Sequence, residues 1–204
     1  MPEPRDARYP FQDHAVAADG VFKAITITPD YPAMALVISR ACADDLRDRF
    51  AEAFGIAPPP LGQRRAVGER AIVSVGPRKW LAMGYSGGGI ASMLTEKLET
   101  VASVTDQSDA FGVLRVSGRH VREMMAKAVG IDLSPVAFGR DSATATMLAL
   151  MRVQISRTDD LPTYEIAVAR SMADSLVGHL TNYAREFSVS VRQSQQVSSN
   201  ENER

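Results

Sequence analysis

The chain has 204 residues, 45% of them apolar, with 23 basic and 24 acidic side chains that leave a formal net charge of -1, and a single cysteine. A chain of this length buries roughly 70% of its unfolded surface, so its core needs no covalent staple, and one cysteine excludes an internal disulfide framework. The near-neutral balance lacks the basic excess of a nucleic-acid or anionic-membrane binder, and no apolar run reaches the ~18 residues of a membrane span.

Residues 1–20 mix Pro, Arg, Asp and His without the apolar stretch of a signal peptide. They are expected to form a disordered arm, and the chain to work in the reducing cytoplasm, with no nucleic-acid and no membrane partner. Short β-branched and aromatic stretches then predict strands over 22–28 and 33–38. Cys42, Leu46, Phe50 and Phe54 recur at four-residue steps, Asp44 and Asp45 sit where the helix dipole favours acids, and Gly55 supplies the stop, so a first helix is expected there. Strands over 71–75 and 80–84 follow, joined by Gly76-Pro77-Arg78. A second helix from about Gly89 carries Ile90, Met93, Leu94, Leu98 and Val101 on one stripe.

Strands over 102–106 and 111–117 lead to a short third helix with Val121, Met124, Met125, Ala128 and Val129 inward, closed by Gly130. One long strand is predicted over 144–156 and another over 163–169, with Thr158-Asp159-Asp160-Leu161-Pro162 as the hairpin loop between them. In the fourth helix Ala173, Leu176, Val177, Leu180, Tyr183, Ala184 and Phe187 form an unbroken three-and-four pattern. Residues 189–204, rich in Ser, Gln, Asn and Glu, read as a disordered tail.

A faint internal repeat runs through this order. Val113 to Ser117 precedes a helix whose Met124 lies seven residues past the serine, and Ala35 to Ser39 precedes one whose Leu46 lies seven past its serine. Residues 21–188 are therefore expected to form a single α+β domain of two pseudo-repeats, about 21–101 and 102–188, sharing antiparallel sheet with helices packed on it.

The sharpest chemical motif is Gly84-Tyr85-Ser86-Gly87-Gly88, which fits G-x-S-x-G between a strand and a helix. Its setting argues against a hydrolase, because the strands come in hairpins and the later histidines, His120 and His179, fall on helices rather than on a loop after a strand. A glycine-rich turn is the better reading. Gly87-Gly88-Gly89 opening a helix would suit an anion, yet neither a P-loop ending nor a G-x-G-x-x-G follows a strand. The three histidines, His14, His120 and His179, are scattered, and Cys42 lies on an apolar stripe, so no metal is expected. Asp159 and Asp160 read as a turn pair, and Met124, Met125, Met147 and Met151 as core filler. Arg78-Lys79-Trp80 is a basic and aromatic cluster at a turn and the candidate interface of the chain, with a Trp that opens a buried strand as the plainer reading. No catalytic residue is assigned.

Several segments, in their order, resemble the gamma subunit family of heterotetrameric sarcosine oxidase. They are Val104-Thr105-Asp106-Gln107-Ser108, Leu114-Arg115-Val116-Ser117-Gly118, Ile131-Asp132-Leu133-Ser134-Pro135-Val136-Ala137-Phe138, Tyr164 through Ala173, Ala184-Arg185-Glu186-Phe187 and, upstream, the Gly76-Pro77-Arg78-Lys79-Trp80-Leu81 turn. Ser134 stands where the family more usually has His before the proline. The resemblance implies the folate-binding fold of the glycine-cleavage T-protein, two duplicated β2-α-β3-α halves with their first strands exchanged. It implies a non-catalytic subunit of an oxidoreductase complex that demethylates sarcosine to glycine, passes the one-carbon unit to tetrahydrofolate and releases hydrogen peroxide. Its partners would be alpha, beta and delta subunits carrying FAD, FMN, NAD and zinc, with no cofactor on this chain. The alternative is a free-standing folate-binding accessory protein or an aminomethyltransferase-like protein.

Overall fold

A computed structural model describes residues 25–40, 43–84 and 89–191. Strands, from the period-two burial of β1 to the double-sided burial of β4 and β5, and helices with one apolar stripe follow one another as β1 (Ile25–Asp30), β2 (Ala33–Ser39), α1 (Ala43–Phe54), β3 (Arg64–Val67), β4 (Arg70–Gly76), β5 (Lys79–Gly84) and α2 (Ile90–Leu98). The second part of the chain continues with β6 (Ala102–Asp106), β7 (Phe111–Ser117), α3 (Val121–Ala126), β8 (Ala143–Leu148), β9 (Met151–Arg157), β10 (Tyr164–Ala169), α4 (Ala173–Tyr183) and β11 (Val189–Val191).

The strands form two sheets, one in the order β3-β4-β5-β2-β6 and the other β8-β9-β10-β7-β1-β11. All named pairs are antiparallel except β1 with β11. Thus β1 lies in the sheet built from the second half of the chain, and β6 in the sheet built from the first. The architecture is α+β, antiparallel sheet with helices packed on it.

The alternation of side chains along each strand explains the layering. On β2, Ala35 and Val37 join Ile72, Ala82 and the stripes of α1 and α2 (Leu46, Phe50, Phe54, Leu94, Leu98) in one core, while Met34 points to the opposite face. On the second sheet Leu114, Val116, Ile155 and Ile166 pack against Met124 and Met125 of α3 and Leu176, Val177 and Leu180 of α4. The remaining faces of both sheets meet through mostly small residues, among them Ala71, Val73, Ala143 and Ala167. Each fully buried Leu, Ile, Met or Phe contributes ~1.5–3 kcal/mol from transfer out of water. At the end of α1, Gly55 has φ 78° and its N–H donates to the Ala51 carbonyl at 2.9 Å, while Arg70 Nη1 donates to the Phe54 carbonyl at 3.0 Å with its guanidinium over the Phe54 ring. A left-handed residue and a cation at a helix C-terminus satisfy carbonyls that would otherwise lack partners.

Three elements differ from the sequence expectation. The stretch 144–156 is two strands, because Ala149 and Leu150 take φ 47° and 67° and turn the chain between β8 and β9. Two positive φ values suit a tight hairpin, but neither residue is the Gly or Asn that usually announces one. Strand β3 was not anticipated, since Arg64-Arg65-Ala66-Val67 carries no β-rich alternation; pairing with β4 and burial of Arg64 hold it in place. The expected disordered tail is corrected at residues 189–191, which pair in parallel with β1 as β11 and bury Ser190 and Val191. They cover backbone groups of β1 that would otherwise stand open at a sheet edge. The expected arm, residues 1–20, and the rest of the tail, 192–204, lie outside the described residues, as does Cys42.

Candidate functional site

The inner faces of the two sheets do not close evenly, and three successive inward residues of β10 show the gradient. Glu165 is buried in an ion pair with Arg64 of β3, with Arg64 Nε and Nη2 both donating to Glu165 Oε2, at 3.1 and 2.9 Å. Next along the strand, Ala167 packs in the small-residue core between the sheets. Finally, Ala169 lines a cavity of about 310 Å³.

The first sheet gives this cavity Leu36, Val75 and Leu81, the second gives Ala145, Arg152, Gln154, Ala167 and Ala169, and Gln107 and Phe111 complete it. Leu81 and Ala167 are buried, whereas Ala145, Arg152 and Ala169 are exposed and form its rim. The walls are predominantly apolar with a few convergent polar groups, the usual make-up of a small-molecule pocket, and the volume falls at the lower end of the usual ~300–1,000 Å³. Gln154 Nε2 is buried, and no protein group accepts a hydrogen bond from it.

Gln107 is held at its place by the loop after β6. The Asp106 carboxylate accepts the Ser108 N–H at 2.9 Å and the Ser108 hydroxyl at 2.7 Å, and Ser108 Oγ accepts the Met34 N–H at 3.0 Å. The Ser108 N–H and then its hydroxyl hold the Asp106 carboxyl below its ordinary value of 3.8. Where β1 ends, burial pushes Asp30 upward, with the Tyr31 N–H opposing and the Glu165 charge adding to the rise. Burial likewise pushes the Tyr31 hydroxyl up to about 12.

The remaining candidates sit apart from the cavity. Arg78, at φ 55°, receives the Ser39 N–H on its carbonyl at 3.0 Å and donates from Nη2 to the Ser39 carbonyl at 3.3 Å. Arg78 and Lys79 are exposed, and Trp80 is half-buried against the core under α1 and α2, donating from Nε1 to the Pro59 carbonyl at 2.9 Å. Trp80 therefore has a packing role within the chain. His120 precedes α3, stacked on Phe187 and paired with Glu123, and His179 is an exposed residue of α4 beside Tyr183. Ser86, Gly87 and Gly88 lie outside the described residues. Among the described residues no group of three His, Cys, Asp or Glu side chains could hold a metal ion, and no helix is long and apolar enough to cross a membrane.

Arg152 and Gln154 fall inside the one long strand that the sequence predicts over 144–156, where no motif marks them as site residues. The signal was present: Arg152, Gln154 and Ser156 alternate with Met151, Val153 and Ile155, a period of two that places three polar groups on the face opposite the helices.

The family model described as the sarcosine oxidase gamma subunit family matches residues 40–186. Over 109 residues the chain is 33% identical to the sarcosine oxidase subunit gamma of an Arthrobacter species, an alignment covering 52% of this chain and 54% of that protein. The chain thus aligns with about half the length of that curated relative. Among solved structures it is similar to a chain of the heterotetrameric sarcosine oxidase from Corynebacterium sp. U-96 in complex with pyrrole 2-carboxylate, with TM-score 0.74, 23% identity, 88% of this chain and 90% of that one covered. It is also similar to the glycine cleavage system aminomethyltransferase T from Bartonella henselae, with TM-score 0.61, 14% identity, and 84% and 48% of the two chains covered. At these identities the two structures speak to the fold.

Proposed function

The chain belongs to the sarcosine oxidase gamma subunit family, and from that premise we propose that it is the non-catalytic gamma subunit of a heterotetrameric, cytoplasmic sarcosine oxidase. The observation that carries the reading is the family match across 40–186, which spans every element from α1 to α4. In this reading alpha, beta and delta partners hold FAD, FMN, NAD and zinc, and the complex oxidises sarcosine to glycine, hands the one-carbon unit to tetrahydrofolate and releases hydrogen peroxide.

The contribution of this chain is surface. Val136 at 98% exposure and Leu150 at 92% are apolar side chains left to solvent, with Leu161, Leu61 and Val67 also exposed. Single exposed apolar side chains are ordinary on a protein surface, so these five are proposed as contacts on the strength of the family match and not of exposure alone. Arg78 and Lys79 are the exposed charges we propose for an interface rim, where they would orient docking more than strengthen it.

The fold is similar to that of the aminomethyltransferase T and the family resemblance implies folate binding, but the cavity between the sheets does not fit a pterin. The edge of that ring presents amino and N–H donors that a carboxylate would answer, and no Asp or Glu is among the cavity-lining residues. No step through folate is assigned to this chain.

The test is purification from the native host under gentle conditions, followed by the mass of the intact assembly. A yellow complex containing larger flavoprotein chains is expected, and a colourless monomer recovered beside those chains would overturn the reading. Tetrahydrofolate added to the isolated chain should give no heat of binding; tight binding would favour a free-standing folate-binding protein.

A further inference from the structure

We infer that the cavity between the two sheets is a binding site for a small apolar monocarboxylate, a single aromatic ring or a branched aliphatic chain ending in a carboxyl group. The inference goes beyond the subunit reading and does not depend on it. Three observations select this chemistry.

First, Leu36, Val75, Leu81, Phe111 and Ala167 surround most of the space, so the body of the ligand must be apolar. Its volume of about 310 Å³ suits one ring or a short branched chain. Second, Gln154 Nε2 is a buried donor to which no protein group responds. A donor left in that condition costs ~1–3 kcal/mol; Gln154 lines the cavity although its Nε2 is covered, so a turn of its terminal amide toward the space would hand the donor to an oxygen of the ligand. Third, Arg152 lies two residues away on the same face of β9, about 7 Å along the strand at the rise of an extended chain, and it is exposed at the rim with no ion-pair partner among the described residues.

A carboxylate placed between these two side chains receives the guanidinium from outside and the amide N–H from within, while its apolar part enters the space over Ala167. An amine would meet the Arg152 charge and be repelled. A di-acid or phosphate would bring a second charge with no second cation lining the cavity to meet it.

The experiment is a titration of the full chain, with its alanine methyl groups isotopically labelled, by hydrocinnamate and by isocaproate, each beside the alcohol of the same skeleton. Saturable shifts at the methyls of Ala145, Ala167 and Ala169 are expected. The alcohols, Arg152→Gln and Gln154→Leu should each weaken binding about tenfold, the loss of one hydrogen bond to a charged group. Ala167→Phe, which fills the floor, should abolish binding; because the larger ring also crowds the inter-sheet core, the exposed Arg152→Gln carries the decision if that variant does not fold. Absence of saturable binding into the millimolar range, equal binding of acid and alcohol, or shifts confined to other methyls would overturn the assignment.

Discussion

Removing Glu165 is the most incisive perturbation of this fold, because it strands a cation between the sheets. Arg64 and Glu165 are 101 residues apart in sequence, with 7% and 8% of their side chains exposed, and two guanidinium nitrogens converge on one carboxylate oxygen. Water cannot screen a pair this deep, so the small values typical of surface pairs do not apply. Glu165→Leu leaves the Arg64 guanidinium desolvated and uncompensated, which costs ~3–5 kcal/mol, whereas Arg64→Met combined with Glu165→Leu removes both charges and is expected within about 1 kcal/mol of the parent, or more stable. A domain whose whole stability is ~5–15 kcal/mol would lose a fifth or more in the single variant. Urea unfolding can be followed through Trp80, the sole tryptophan of the chain, and a double-mutant cycle isolates the coupling. Single variants costing under ~1 kcal/mol with no coupling would refute the claim that this pair is desolvated and joins the sheets.

Leu150→Gly should raise stability by about 1 kcal/mol, because Leu150 at φ 67° and 92% exposure bears a left-handed strain with no compensating burial; thermal unfolding checks this, and a lower melting temperature contradicts it. Ser108→Ala should move the Asp106 carboxyl up toward its ordinary 3.8, read by carboxyl chemical shifts against pH. Since Asp106 is depressed in the folded chain, its favourable contribution is complete above 3.8 and fades as pH falls through the lower folded value, so the wild type should lose more on acidification than the variant. Trp80→Phe deletes the 2.9 Å bond to the Pro59 carbonyl and should cost about 1 kcal/mol by circular dichroism; no loss in the isolated chain would contradict its packing role.

The parts of this fold that were legible are those whose signals are local. The Leu46, Phe50 and Phe54 steps, the Leu176 to Leu180 stripe and the Gly76-Pro77-Arg78 turn each lie within a few residues, and the corresponding elements formed close to their expected bounds. What could not be read depended on distant partners. Arg64 looks like a loop residue until Glu165 is placed beside it, and Val189 to Val191 look like polar tail until β1 offers its free edge. The turn at Ala149 and Leu150 is driven by the pairing of β8 with β9 against its own residue preferences. The cavity was invisible for the same reason: its walls come from both sheets, and only Gln154 and Arg152, two positions apart on one strand, left a trace in the order of residues.

The crossing of β1 and β6 between the sheets has a consequence for how the molecule holds together. The first sheet takes β6 beside β2, and the second takes β1 beside β7, so neither half of the chain can complete its hydrogen bonding alone. Unfolding either half would therefore open an edge in the other sheet and expose its inner face, including the Arg64 and Glu165 charges. Cooperativity of this kind makes the inter-sheet layer a rigid support, in which alanines set a close approach at Ala71, Ala143 and Ala167 and the approach relaxes toward Ala145 and Ala169. A space at the edge of such a layer is preformed rather than induced, and a ligand that enters it gives up little free energy to order the protein around it.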